Sequence, residues 1–196
     1  MNFLYWFLRG IAALILKLFF GLKVYGKENI PDKGAFILVS NHVSYLDPVI
    51  LGVANYQMLY YMARDSLFNH PLMGWLLPRI GVFPVKRETA DFGAIRQALR
   101  YLKNDKPLVI FPEGSRAMDD NLQDPLPGVG FIASHASVPV IPAYIRGSRE
   151  AFPRHAKFIK PSKISVVFGK QIFVERRMPY QQAATLVMNG IRDLSN

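Results

Sequence analysis

A histidine and an aspartate lie five residues apart, directly after an apolar run. The run, Ala35 to Ser40, has the composition of a buried strand, and His42 and Asp47 follow it ahead of Pro48, which favours the first turn of a helix. A neutral imidazole can accept a proton from an alcohol, and a carboxylate bonded to its other nitrogen fixes the tautomer. The spacing therefore predicts a general base. A helix N-cap role for Asp47, with His42 as an ordinary turn residue, is the open alternative.

A second apolar run, residues 107–111, ends in a turn with the sequence Pro112-Glu113-Gly114-Ser115-Arg116. Arg116 offers a planar fork of N–H donors that suits phosphate, and Gly114 allows the backbone to approach a ligand closely. We expect Glu113 either to hold a substrate hydroxyl or to orient Arg116. A purely structural Glu–Arg pair is the alternative.

A third candidate site follows a short strand at Val82 to Val85, where Lys86 and Arg87 are adjacent in sequence. Two neighbouring cations can contact one phosphate group. Two adjacent basic residues that only face water are the alternative.

The elements that must position these residues alternate between apolar runs and helical patterns, which is typical of an α/β domain. Continuous apolar runs suit strands that are covered on both faces. We therefore predict a mostly parallel or mixed central sheet of about seven strands flanked by helices. The predicted strands are Leu22 to Tyr25, Ala35 to Ser40, Met58 to Met62, Val82 to Val85, Leu108 to Phe111, Val140 to Ile145 and Ile164 to Phe168; the predicted helices are Pro48 to Asn55, Ala90 to Lys103, Val129 to Ala136 and Pro179 to Leu194.

The first 22 residues are almost entirely apolar and predict an amphipathic, membrane-associated helix, followed by one domain over residues 23–196. Asn2, Arg9, Ala13 and Lys17 fall in one narrow sector of this helix. Inserting an arginine at the bilayer centre costs about 2.5–3.5 kcal/mol. We therefore expect the helix to lie in one leaflet, with Arg9 and Lys17 extending to the headgroups. A buried core helix and a signal peptide are alternatives.

The formal net charge of +10 implies an anionic partner. Nine basic and two acidic residues lie between Arg146 and Arg177, interleaved with Phe152, Phe158 and Ile159. This mixture favours an anionic lipid surface, and no nucleic-acid motif is present. An ordinary solvated face is the alternative. The chain has no cysteine and its four histidines lack short ligand spacings, so we expect neither a cysteine nucleophile nor a metal site.

Taken in order, these motifs resemble those of the glycerophospholipid acyltransferases, the family that includes lysophosphatidate acyltransferase. NHVSYLD, residues 41–47, is similar to the family's Asn-His-x4-Asp block, and FPEGSR, residues 111–116, to its Phe-Pro-Glu-Gly block. GVFPVKR, residues 81–87, and VPVIPAY, residues 138–144, look like the two remaining blocks. The four stretches follow the order of the family blocks, and the segment from the first to the last is about 100 residues long.

The resemblance implies that His42 is the base, that Asp47 orients it, and that a glycerol hydroxyl attacks an acyl thioester without an acyl-enzyme. The implied acceptor is a lysophospholipid, above all 1-acyl-glycerol-3-phosphate giving phosphatidic acid. The implied co-substrate is acyl-CoA or acyl carrier protein, and no cofactor is implied. The implied location is the cytoplasmic face of the inner or plasma membrane. The implied substrate-binding residues are Lys86, Arg87, Glu113, Gly114, Ser115 and Arg116, and the implied supporting residues are Asn41, Ser44, Pro112 and Pro142.

One departure from the family pattern concerns the acceptor. Many members carry Phe-Lys-x-Gly where this chain has Pro125 to Gly128, so a cation is missing and another lyso-lipid acceptor is an alternative. A lipid hydrolase that uses Ser44 or Ser115 as its nucleophile is a further alternative, but neither serine lies in a G-x-S-x-G motif. A non-catalytic protein that binds anionic lipid is the alternative from a different class.

Overall fold

The structure is a computed structural model of the chain that describes residues 2–86, 91–119 and 121–195. Its strands are β1 Lys23–Tyr25, β2 Ile37–Ser40, β3 Tyr60–Arg64, β4 Val82–Val85, β5 Leu108–Ile110, β6 Val140–Arg146 and β7 Ser165–Phe168. Its helices are α1 Phe3–Phe20, α2 Asp47–Ala54, α3 Pro71–Arg79, α4 Phe92–Lys103, α5 Pro127–Ala136, α6 Ser148–Ala151 and α7 Tyr180–Arg192. Helix α3 was not predicted, because two prolines and a glycine interrupt its pattern.

The strands form one sheet in the order β1-β7-β6-β2-β5-β3-β4. Every neighbouring pair is parallel except β6 and β7, which are antiparallel. The predicted mixed α/β sheet of seven strands is therefore confirmed. Because β2, β5 and β6 are parallel neighbours, their carboxyl ends meet at one margin of the sheet, called here the carboxyl edge; the opposite margin is the amino edge.

Both faces of the sheet are covered, which explains the continuous apolar runs. Leu38 of β2 packs into a cluster with Phe20 of α1 and Ile50 of α2. Its neighbour Val39 packs into a cluster on the other face with residues of α4, α5 and α7. Successive side chains of a strand alternate between faces. A strand buried on both faces must therefore be apolar at every position.

Helix α1 lies against α2 and presents a wide apolar face to the outside. Tyr5, Leu16 and Phe20 are buried. Among the described residues, α1 is the one helix long and apolar enough to cross a membrane, by length and composition. Its exposed large apolar side chains are Phe3, Phe7, Ile11, Leu14, Ile15, Leu18 and Phe19.

The expectation that Arg9 extends to lipid headgroups is wrong. Its Nε donates to the Gly52 carbonyl at 2.9 Å, and its Nη2 donates to the carbonyls of Val53 and Asn55 at 2.9 and 2.7 Å. The last carbonyls of a helix lack hydrogen-bond donors within the helix, and the helix dipole makes this end negative. A cation there therefore supplies the missing donors and complements the dipole. Arg9 therefore ties α1 to the carboxyl end of α2, whereas Lys17 is exposed.

Candidate active site

The imidazole of His42 and the carboxylate of Asp47 are in direct contact at the carboxyl edge. Nδ1 of His42 lies 2.9 Å from Oδ2 of Asp47, which is fully buried. An ionised carboxylate only accepts hydrogen bonds, so this contact requires the proton on Nδ1. Nε2 has no hydrogen-bond partner among the described residues, and the His42 side chain is 12% exposed. The arrangement therefore leaves a basic nitrogen that a substrate can reach.

Asp47 is held by the turn that precedes it. Its Oδ2 also accepts the backbone N–H groups of Val43 and Ser44 at 2.8 and 2.7 Å. The cap position of α2 is Leu46, without a side-chain cap bond. The N-cap alternative for Asp47 is therefore wrong: its carboxylate binds residues before the helix, and the positive end of the α2 dipole stabilises it there.

The turn after β5 encloses the His42 peptide. The His42 N–H donates to Oε1 of Glu113 at 3.0 Å, and the Ala117 N–H donates to the His42 carbonyl at 2.8 Å. The imidazole stacks on the Phe111 ring at a centroid distance of 4.0 Å. The two turns that carry the sequence motifs are therefore one packed unit.

Glu113 lies beneath this unit and binds backbone amides. Its second oxygen accepts the Gln123 N–H at 3.1 Å, and no hydrogen bond joins it to Arg116 in the described part of the chain. Burial raises the pKa of the Glu113 carboxyl, although both backbone N–H groups oppose the increase. The contacts join Glu113 to the backbone of the His42 turn, and no bond to the Arg116 guanidinium that the sequence analysis paired with it occurs among the described residues.

The guanidinium of Arg116 lies over the ring of Tyr45, with its central carbon 3.4 Å from the ring centroid. Its Nη1 is buried and has no hydrogen-bond partner among the described residues. Tyr45 belongs to the His42–Asp47 turn, so the stack brings a cation to that turn. Sequence reasoning missed Tyr45. The available signal was an aromatic residue inside the motif, because guanidinium groups stack on aromatic faces.

Asn41 and Ser44 support the turn through side-chain hydrogen bonds. Asn41 donates to the Ile145 carbonyl at 3.0 Å and accepts the Ile145 N–H at 2.8 Å, which joins the ends of β2 and β6. The buried Ser44 hydroxyl donates to the Phe152 carbonyl at 2.7 Å and accepts the Leu46 N–H at 3.1 Å. Ser44 is therefore committed to the backbone and is not free to act as a nucleophile.

The remaining residues of the second turn shape its backbone. Gly114 has a φ of +68°, a conformation that requires glycine, and a Cβ there would also displace a Leu126 methyl group 2.4 Å away. The Pro112 carbonyl accepts the Leu126 N–H at 2.9 Å. Ser115 is exposed. Pro142 lies within β6, and its ring packs against Gly169, which follows β7, and against Gly190 of α7.

Lys86 lies at the same edge but farther along the sheet. It follows β4, which is separated from β5 by β3, a distance of about 10 Å at ordinary strand spacing. Its N–H donates to Asp91, the residue that caps α4. Arg87 lies outside the described residues.

A cleft of 290 Å³ opens beside Val43, on the β6 side of the His42 turn. Arg146, Arg149 and Glu150 line it with residues from the end of β6. The cleft gives the carboxyl edge an opening with a charged lining.

A family model described as Acyltransferase matches residues 21–146, more than half of the chain, and the match includes both turns of this site. The chain belongs to the acyltransferase family. The predicted enzyme class, an O-acyltransferase, is thereby confirmed.

This acyltransferase is similar to proteins named 1-acyl-sn-glycerol-3-phosphate acyltransferase. It is 32% identical to that of Bacillus subtilis (strain 168) over 86% of this chain and 82% of the relative. It is 33% identical to that of Streptococcus pneumoniae over 86% of this chain and 62% of the relative, and so spans less than two thirds of the latter. The crystal structure of the 1-acyl-sn-glycerophosphate acyltransferase PlsC from Thermotoga maritima shares its fold, with a TM-score of 0.77 at 24% identity over 97% of this chain and 81% of that one.

In the part of the acyltransferase that the structure describes, no group of three or more histidine, aspartate or glutamate side chains could hold a metal ion. The chemistry that the side chains of the two turns can supply is proton transfer at His42 and charge complementarity at Arg116.

Proposed function

We propose that this acyltransferase moves a fatty acyl chain from an acyl thioester to the free hydroxyl of 1-acyl-glycerol-3-phosphate, giving phosphatidic acid. The observation that carries the proposal is the contact of Nδ1 of His42 with Asp47, beside the guanidinium of Arg116. The names of the two bacterial relatives support the choice of acceptor. Acyl-CoA or acyl carrier protein is the donor.

The reaction begins at Nε2 of His42, which takes the proton of the glycerol hydroxyl as that oxygen attacks the thioester carbonyl carbon. The carbon–sulfur bond then breaks, and the departing thiolate takes the proton from the imidazolium. An ester and a thiol leave, and the imidazole is regenerated. Asp47 stabilises the imidazolium between the two steps. Because the base activates the acceptor itself, no acyl-enzyme is needed.

Arg116 binds the acceptor phosphate. The residue as a whole is only partly buried, and its planar fork of N–H donors suits the oxygens of a phosphate group. Gly114 and Ser115 form the turn that presents Arg116, and Lys86 adds positive charge at the outer margin of the site. The family resemblance assigns substrate binding to Arg87 as well.

The acyltransferase works at a membrane surface, because its lysophospholipid acceptor resides there. The apolar face of α1 supports this location, and the carboxyl edge lies at the end of α1, where Ile164 and Phe20 are hydrogen-bonded. We propose monotopic or peripheral attachment to the cytoplasmic face of the inner or plasma membrane, with residues 1–22 as the membrane element and residues 23–196 as the catalytic domain.

A different lyso-lipid acceptor is the second candidate. The segment that lacks the family's lysine lies beside the phosphate site, because a Leu126 methyl group covers Gly114. An apolar side chain there binds a phosphate monoester less strongly than a cation would, and tolerates a larger headgroup.

The test supplies labelled acyl-CoA and acyl carrier protein with a panel of lysolipids and identifies products by mass spectrometry. We expect phosphatidic acid as the dominant product, and none from the His42→Ala variant. A preference of more than tenfold for a lysolipid with another headgroup would refute the acceptor. Absence of any new ester across the panel would refute the proposed function.

A further inference from the structure

The segment from Arg154 to Lys163, called here the cationic loop, combines exposed apolar tips with positive charge. Phe158 is 78% and Ile159 is 54% exposed. The loop contains four arginines and lysines, the inner two being Lys157 and Lys160, and no acidic residue. Among the described residues none of the four forms an ion pair. The loop therefore offers uncompensated charge around a hydrophobic tip.

The two ends of the cationic loop are held at functional parts of the molecule. Before it, Phe152 accepts the Ser44 hydroxyl and Pro153 forms a β-bridge with Ser44, in the His42 turn. After it, the Ile164 N–H donates to the carbonyl of Phe20, the last residue of α1, at 3.0 Å. The loop thus joins the base turn to the carboxyl end of the apolar helix.

The structure divides the basic segment that the sequence presents as one. Lys170, Arg176 and Arg177 belong to the amino edge, because Ile172 forms a β-bridge with Val140, where β6 begins. Ile172 packs into the cluster on the face opposite α1. Phe173, beside it, is 72% exposed. An exposed phenylalanine near cations therefore occurs twice, once in the loop that leads to the carboxyl end of α1 and once at the amino edge.

We propose that the cationic loop is a second membrane contact, which binds anionic phospholipid headgroups through its four cations and inserts Phe158 and Ile159 between them. Charge complementarity and continuity with α1 favour a lipid leaflet over a nucleic acid, since the apolar tip has no role on a phosphate backbone. The proposal rests on the proposed membrane location but not on the acceptor.

The absence of cysteine makes a local test possible in the full chain. Phe158→Cys and Phe173→Cys, each labelled with an environment-sensitive fluorophore, are mixed with vesicles of phosphatidylcholine with or without phosphatidylglycerol. We expect a blue shift at position 158 with the anionic vesicles and no shift at position 173. Because the signal is local, it reports on the loop even while α1 keeps the protein on the vesicle.

Charge neutralisation tests the role of the cations. In the labelled Phe158→Cys protein, Lys157→Gln with Lys160→Gln should raise the anionic lipid needed for half the shift by about 25-fold, at about fivefold for each cation. Arg176→Gln with Arg177→Gln should change it less than about twofold, and high salt should weaken the wild-type response. An equal shift at position 173, no shift at 158, or a shift that survives the lysine changes would overturn the proposal.

Acyl transfer in detergent micelles separates this proposal from the proposed function. The lysine variant should turn over soluble substrate at the wild-type rate, because no loop lysine touches the His42 turn. If wild-type protein transfers no acyl group in micelles, the proposed function fails. The vesicle result then still decides whether the cationic loop contacts the membrane. If an oligonucleotide produces the blue shift and anionic vesicles do not, the loop binds nucleic acid and the proposal fails.

Discussion

Replacing Tyr45 with alanine should weaken acceptor binding by removing the surface on which Arg116 rests. The guanidinium carbon lies 3.4 Å from the ring centroid. A cation over an aromatic ring contributes about 0.5–1 kcal/mol when exposed and about 2 kcal/mol when desolvated. Tyr45 is 48% exposed and Nη1 of Arg116 is buried, so about 1 kcal/mol is expected. This corresponds to about a fivefold rise in the KM for lysophosphatidate.

The effect should fall on KM and leave kcat nearly unchanged, because the phosphate is bound equally in ground and transition states. Tyr45→Phe retains the ring face and should behave as wild type. The matched control is Tyr56→Ala: Tyr56 is 51% exposed and lies under Lys27 at 4.8 Å, away from the carboxyl edge. Initial rates in mixed micelles measure all three variants.

A double-mutant cycle with Arg116→Ala distinguishes positioning from general damage. Without the guanidinium, Tyr45→Ala should add little further loss, since the two residues act through one contact. If the two losses simply add, or if Tyr45→Phe is as defective as Tyr45→Ala, the stacked pair is not what holds the acceptor.

Three further predictions concern the residues that support the site. Arg9→Met should destabilise the fold by about 2 kcal/mol by leaving three carbonyls without their donor, visible as a lower Tm, whereas Lys17→Met should not. In Asp47→Asn the amide oxygen can still accept the His42 proton, so the tautomer survives without the charge; kcat should fall about 100-fold, and a fall as large as that of His42→Ala would contradict this role. Burial raises the pKa of Glu113, so its ionisation costs stability as pH rises above the ordinary value of 4.5. Unfolding free energies measured from pH 4 to 7 should therefore shift in favour of Glu113→Gln as pH rises, and a shift towards wild type would contradict the assigned burial.

The sheet and the His42–Asp47 contact could be predicted because their causes are local. Seven apolar runs, each bounded by turn residues, correspond to the seven strands, and no predicted end is displaced by more than two residues. His42 and Asp47 meet within a single turn, so their spacing already contained the contact. The order of the strands and the antiparallel β7 depend on pairing between distant segments, which no local pattern records.

The contacts that the sequence could not predict join residues far apart in the chain. Tyr45 and Arg116 are separated by 71 positions, and their stack depends on how two turns pack across neighbouring strands. Arg9 was misassigned because an insertion scale compares arginine in water with arginine in lipid. In the fold, the Arg9 guanidinium lies in neither water nor lipid, because it donates hydrogen bonds to the carbonyls at the end of α2.

The most direct test of the central claim is acyl transfer by the His42→Ala variant on vesicles that contain lysophosphatidate. General base catalysis contributes about 10²- to 10⁴-fold, and the precise orientation of the base adds to this. We predict that turnover falls by at least about 1,000-fold, within the range for a lost base, while vesicle binding and Tm stay at wild-type values. Turnover within about tenfold of wild type would contradict the assignment of His42 as the base.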